Sequence, residues 1–313
     1  MDTLTGRLNT RFLAVSVVPT VVLFGYVGFL IAAGAPKQSP EIGRAFNFVD
    51  GMSGRQLAAL VIVVLCASIA THPLQVPMVQ LLEGYWWKLP FGSIAAQAAT
   101  ARFRDELDRI RMTLNREVRT GDWVAAQAVA DAEYRQQWLP TDEDELLPTA
   151  LGNVLRAGES RAGERYGLNL VEVMPRLFPL LSPAMLNEVA DRRNQLDAGV
   201  RLCVMSALAT TASVMLLLPR GEWLFLPLAT YIMCWTCYSS AVAAARGYST
   251  ALAAAVDLHH LDLYGALHLS RPQDLGIELE RAPILNRLLR GEQLSRSEAS
   301  SLHYPAKSGQ TAP

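Results

Sequence analysis

Asp257 and His260 stand one helical turn apart in RGYSTALAAAVDLHHLDLYGALHL (246–269), and Tyr264 and His268 follow on the same face. At 100° per residue the four fall within about 80° of one another. A carboxylate and an imidazole so placed could hold a metal ion or pass a proton. Two ligands from one helix leave a metal site open. The alternative is an amphipathic helix whose polar face is hydrogen-bonded, since Leu252, Val256, Leu263 and Leu267 line the opposite side. A second set of polar residues, Ser68, His72, Gln75, Gln80 and Glu83, forms a stripe about 140° wide if residues 56–83 are helical. It sits in an otherwise apolar run. The stripe therefore reads either as interhelical hydrogen bonding, with Thr210, Thr211 and Ser213 or Thr230, Thr236 and Ser239 as partners, or as the lining of a pore or ligand path.

Other chemically suggestive spacings are weaker. CWTC (234–237) matches a dithiol motif but lies within an apolar run that supplies no polar support, so its cysteines read as packing residues. TDEDE (141–145) could bind a cation and reads more simply as a solvated loop. Residues 88–198 contain no His and no Cys, which excludes a Ser/His/Asp set, a Cys/His set or a zinc site within them. Their 14 basic and 17 acidic residues exclude a nucleic-acid interface, which needs a basic face. No phosphate loop is present, and no cofactor is implied.

The elements that carry these residues follow from the charge pattern. Only 18% of the 313 residues are charged, against about 25% in soluble domains. The deficit is concentrated in four uncharged runs of 25, 27, 18 and 23 residues, bounded by Arg11 and Lys37, Arg55 and Glu83, Arg201 and Arg220, and Glu222 and Arg246. A helix needs about 20 apolar residues to cross the hydrocarbon core. The fold class expected is therefore all-α: a polytopic membrane protein with four transmembrane helices and a helical cytoplasmic domain inserted between helices 2 and 3. The spans are placed at about 12–33, 56–83, 199–218 and 223–245. The first reads as a retained anchor, with a cleaved signal segment ending near AAGA as the alternative. The second is expected to continue through His72-Pro73 to Glu83 with a kink, because 27 residues span roughly 40 Å while a helix ending at Ser68 would be short.

Residues 1–11 are the expected cytoplasmic N-tail, 88–198 the cytoplasmic domain, 246–292 an amphipathic C-terminal region and 293–313 a disordered tail. Lys and Arg at the flanks favour cytoplasmic termini at the plasma membrane, with Arg201 at a membrane edge. In the domain, Phe103, Leu107, Ile110, Leu114 and Val118 recur at helical spacing. A second helix is expected near 123–137, and Ser182-Pro183 starts a helix that runs into the third span.

Four blocks, LLEGYWW (81–87), LPTALGNVLRAGESRAGERYGL (147–168), MPRLFPLL (174–181) and AVDLHHLDLYGALHL (255–269), together resemble a group of multi-pass integral membrane proteins of unassigned activity common in actinobacteria. Met174 stands where that pattern has an aromatic residue. The resemblance implies a topology and no catalytic residues, and it marks Glu83, Asn153, Arg156, Glu159, Tyr166 and Arg176. The function expected is a non-enzymatic membrane scaffold or regulatory protein. Its partners are the lipid bilayer and either copies of the chain or another protein, held through the C-tail and the charged helix at 94–119 with its Phe103, Leu107 and Ile110 face. A homo-oligomeric channel lined by the second span is the alternative, and a membrane enzyme using Asp257 and His260 the third reading.

Overall fold

The computed structural model describes residues 18–88, 90–116 and 122–304, without the side chains of His72 and Lys88. Every regular element among the described residues is helical. The helices are α1 (Val18–Ala32), α2 (Ile42–Asp50), α3 (Gly54–Ala70), α4 (Gln75–Glu83), α5 (Gly92–Leu114), α6 (Trp123–Gln136), α7 (Ala150–Arg161), α8 (Leu170–Leu177), α9 (Pro183–Leu217), α10 (Phe225–Ala266), α11 (Leu275–Arg290) and α12 (Arg296–Ser301). The chain divides into two units. The first comprises Met1–Tyr85 and Arg193–Ala244, the second Trp86–Arg192 and Ala245–Pro313.

In the first unit, α9 and the stretch Gly221–Ala266 containing α10 are each long and apolar enough to cross a membrane. The pair α2 and α3, bent by 108° at a short break, makes a third candidate if it acts as one span. The apolar α1 has 15 residues, and the start of the run expected at 12–33 lies outside the described residues. Two or three crossing helices are thus present by length and composition. A capping box starts α3: the Ser53 hydroxyl accepts from the Gln56 amide, and the Gln56 side chain accepts from the Ser53 amide.

The second run is not one kinked helix. It stops at Ala70, makes a 3₁₀ turn at His72–Leu74 and resumes as α4. The prolines account for this. Pro73 sits in the turn, and Pro77 falls in the first turn of α4, where a missing N–H costs no internal bond. At the other end of the unit, α10 continues past Ala245 without interruption, so the expected fourth span and the expected 246–269 helix are one element. Within the first unit α9 and α10 approach closely at Gly199, where an added Cβ would lie 3.0 Å from the Ala241 Cα.

Two apolar clusters lie among the described residues of the second unit. One joins Leu168, Val173, Leu177 and Val189 to Leu252, Val256, Leu263, Tyr264, Ala282 and Leu285. The other holds Leu107 and Ile110 of α5 against Ala132, Leu139 and Leu146, with Phe103 and Leu114 partly buried beside it. The face assigned to partner binding is therefore interior: Leu107 and Ile110 are 2% and 5% exposed. An amphipathic stripe reports that a face is covered, and here α6 and the 139–146 segment cover it. The expected disordered tail is also partly ordered. Ser295 and Glu298 form a capping box at α12, and Leu302 packs on the larger cluster. Residues 305–313 lie outside the described residues, as does Val118.

Gly158 of α7 lies against Ser249 of α10, whose Cβ would be 2.5 Å from an added Cβ. Gly158→Ala is expected to destabilise the second unit by roughly 1–3 kcal/mol through overpacking. Gly28→Ala, with open space around it, serves as the control. Thermal melts of both variants in detergent check this; equal melting temperatures would contradict the packing described.

Candidate functional site

The residues with the most chemical potential in the second unit meet where α10, the 163–168 loop and α11 come together. Asp274 caps α11 by accepting from the Ile277 amide, which places Glu278 in its first turn. Glu278 is 3% exposed, and its Oε1 lies 2.7 Å from His260 Nδ1. The loop is held by left-handed glycines, Gly163 at φ 94° and Gly167 at φ 68°. It lays the Tyr166 ring flat on the His260 imidazole, with centroids 3.9 Å apart and planes at 18°. The Asp257 carboxylate lies near enough to act on the Tyr166 phenol. Asn286 of α11 fastens the same loop: its Nδ2 donates to the Gly167 carbonyl at 2.9 Å, and its Oδ1 accepts from the Asn169 amide at 3.0 Å.

Asp257 and His260 therefore face different partners. Among the described residues, no three His, Cys, Asp or Glu side chains gather as metal ligands. His259 turns instead to Asp262, at 3.0 Å, and Asp262 also pairs with Arg271 at 3.3 Å. The Tyr264 hydroxyl is buried and has no hydrogen-bond partner. Burial pushes its phenol up to about 12, with the Glu278 charge acting in the same direction.

The other residues marked by the resemblance are tied into the scaffold. Asn153, fully buried, accepts from the Leu147 amide at 2.7 Å and donates to the Leu147 carbonyl at 2.9 Å. Arg156 pairs with Glu145 at 3.2 Å and Glu159 at 3.8 Å. Arg176 donates to the Glu172 carbonyl and, at 2.8 Å, to the Leu289 carbonyl near the end of α11. Comparison with family models, with curated proteins and with solved structures finds no match for this chain. The acidic loop is neutralised from within: Glu143 pairs with Arg111 and with Arg104, and Glu145 accepts from Ser160 as well as Arg156.

In the first unit the polar stripe divides. Ser68 is buried and returns its hydroxyl to the Val64 carbonyl at 2.8 Å. Gln75 donates to the Asp197 carbonyl of α9 at 3.1 Å, a main-chain partner in place of the expected threonines. Gln80 is exposed and Glu83 half-buried, and the His72 side chain lies outside the description. Arg201, expected only as a charge at a membrane edge, is 1% exposed and donates to the Thr71 hydroxyl at 2.7 Å and the Thr20 hydroxyl at 3.3 Å. No carboxylate of the described residues lies within ion-pair distance of it. Glu278 was also missed; its only sequence signal is an acidic residue in a capped first turn.

Tyr166 gives a test of the cluster by pH. Burial first, then the charge of Asp257 and its hydrogen bond, raise this phenol above its ordinary 10.0, and Arg165 opposes them. The folded chain thus keeps a proton that the unfolded chain releases. The stability involved is complete below about pH 10 and is lost as pH rises through the folded value. Melting temperatures should fall above about pH 10, and Tyr166→Phe should flatten part of that slope, with Tyr264 supplying the rest. An unchanged slope would mean that Tyr166 is not held as described.

Proposed function

We propose that this chain is a four-span integral protein of the plasma membrane. Both termini and the second unit lie on the cytoplasmic side. The second unit acts as a non-enzymatic scaffold or regulatory module that binds another copy of the chain or a protein partner. Support for the membrane assignment comes from burial in the first unit. Thr20, Ser68, Arg201 and Ser213 are its buried polar groups, while Ile62, Val63, Ile69, Met215 and Trp235 are exposed. That is the pattern of a bundle whose solvent is lipid.

The observation that carries the scaffold reading is the exposure of large apolar side chains at the end of α5 and the start of α6. Met112 and Trp123 are each 73% exposed, and Val124 is 58% exposed. This surface replaces the Phe103, Leu107 and Ile110 face, which is covered internally. The channel alternative draws on Ser68 and Gln75, whose polar atoms are directed to main-chain carbonyls. The enzyme alternative draws on Asp257 and His260, of which His260 hydrogen-bonds Glu278.

Met112→Ser combined with Trp123→Ser should reduce the mass of the detergent-solubilised assembly, read by light scattering, or abolish cross-links to a partner in membranes. The scaffold reading fails if both are unchanged. The topology is separately checked by reporter fusions at residues 45 and 150, which should report opposite sides of the membrane.

A further inference from the structure

The short helix α2, IGRAFNFVD, belongs to the first unit and follows the end of α1. At 100° per residue Ile42, Ala45, Phe46, Phe48 and Val49 fall within an arc of about 160°. Gly43, Arg44, Asn47 and Asp50 occupy the rest of the wheel. Ala45, near the middle of the apolar arc, is buried, so that side of α2 is turned toward the unit. The larger side chains flanking it are uncovered: Ile42, Phe46, Phe48 and Val49 are each more than half exposed. Four large apolar side chains exposed on so short a helix are unfavourable in water.

The geometry indicates what covers them. The 108° bend between α2 and α3 sets α2 nearly perpendicular to α3, whose own apolar side chains, such as Ile62 and Val63, are exposed. With α3 along the bilayer normal, α2 lies close to the bilayer plane. The start of α2 is tied to the end of α1, where the Glu41 amide donates to the Ala33 carbonyl at 3.0 Å. At that end of the unit Leu30 and Ala35 meet Leu217 and Trp223, and Arg220 donates to the Lys37 carbonyl at 2.9 Å. Tryptophan and the first cations beyond apolar runs mark a lipid–water boundary. The exposed Phe29 ring of α1 meets Phe46 edge-on at 6.5 Å, so the apolar surface of α1 continues onto α2. We propose that α2 is an in-plane helix seated at this boundary, with Ile42, Phe46, Phe48 and Val49 among the acyl chains and Arg44, Asn47 and Asp50 among the headgroups. Between Ala33 and Ser53 the charges are Lys37, Glu41, Arg44 and Asp50, and Arg44 pairs with Glu41 at 3.0 Å. A segment without net charge gains nothing from anionic headgroups, so its ligand is the acyl region of neutral and anionic lipids alike. The inference rests on the membrane assignment above.

In a background carrying Cys66→Ala, Cys203→Ala, Cys234→Ala and Cys237→Ala, spin labels would be attached one at a time through Ile42→Cys, Gly43→Cys, Asn47→Cys and Val49→Cys. Val63→Cys, in the middle of α3, is the reference. The full chain is reconstituted in phosphatidylcholine vesicles, with and without phosphatidylglycerol. Power saturation compares access to oxygen, which concentrates in lipid, with access to a water-soluble nickel chelate present on both sides. The oxygen-to-nickel ratio should be at least about threefold higher at Ile42 and Val49 than at Gly43 and Asn47, higher still at Val63, and the same in both lipids. The inference is overturned if all four positions of α2 are equally open to nickel, which places the helix in water. Equal shielding of all four from both reagents overturns it in favour of a second copy of the chain as cover. A ratio at Ile42 and Val49 equal to that at Val63 overturns it in favour of a span, and a rise with phosphatidylglycerol overturns the charge-independent contact. Nickel access at Val63 overturns the membrane assignment as well, whereas protection at Val63 with nickel access along α2 overturns this inference alone.

Discussion

A guanidinium shut away from water must be satisfied by what its own chain offers, and the first unit is organised around that requirement. Arg201 reaches Thr20 of α1 and Thr71 at the end of α3 from a position on α9, so three helices are joined by one side chain. Thr71 is the C-cap of α3, and its hydroxyl donates to the Ser68 carbonyl at 3.0 Å while accepting from Arg201. The guanidinium is thus held by hydroxyls, one of them at the end of α3, and not by a carboxylate.

The rest of that unit is built as a bundle in an apolar solvent would be. Apolar burial gives no drive to associate when the surroundings are equally apolar, so contact depends on close approach and internal hydrogen bonds. Gly199 against Ala241 supplies the close approach. Tyr26 to Ser213 at 2.8 Å and Thr210 to Thr230 at 3.1 Å supply the hydrogen bonds. The second unit follows aqueous rules, with leucines and valines inside and arginine–carboxylate pairs outside. Such surface pairs contribute little each, about 0–1 kcal/mol. Its geometry is fixed more by buried polar ties such as Asn153 and the His260–Glu278 pair.

Helical class and the long helices at the third and fourth apolar runs were legible in composition and charge spacing, because a helix of given length needs a given number of apolar residues. The start at Ser182-Pro183 was legible for a local reason too, since Ser182 accepts from the Met185 amide at 3.3 Å. What could not be read was which partner a face meets. The α5 stripe is the same whether α6 or another molecule covers it. Glu278 and His260 are 18 residues apart and need the α10–α11 turn to meet. The reach of Arg201 to Thr20 and Thr71 was not legible either, because charge counting locates run ends and says nothing of hydroxyls on other helices.

The larger core of the second unit unites chain segments on either side of Arg193–Ala244: Leu170, Val173 and Leu177 precede that stretch, and Ala255, Leu263 and Leu285 follow it. A ribosome makes the first set long before the second. Until α10 and α11 emerge, the apolar side of α8 lacks most of its cover. A chain stalled or clipped within the third or fourth apolar run therefore leaves that side exposed for quality-control machinery to detect.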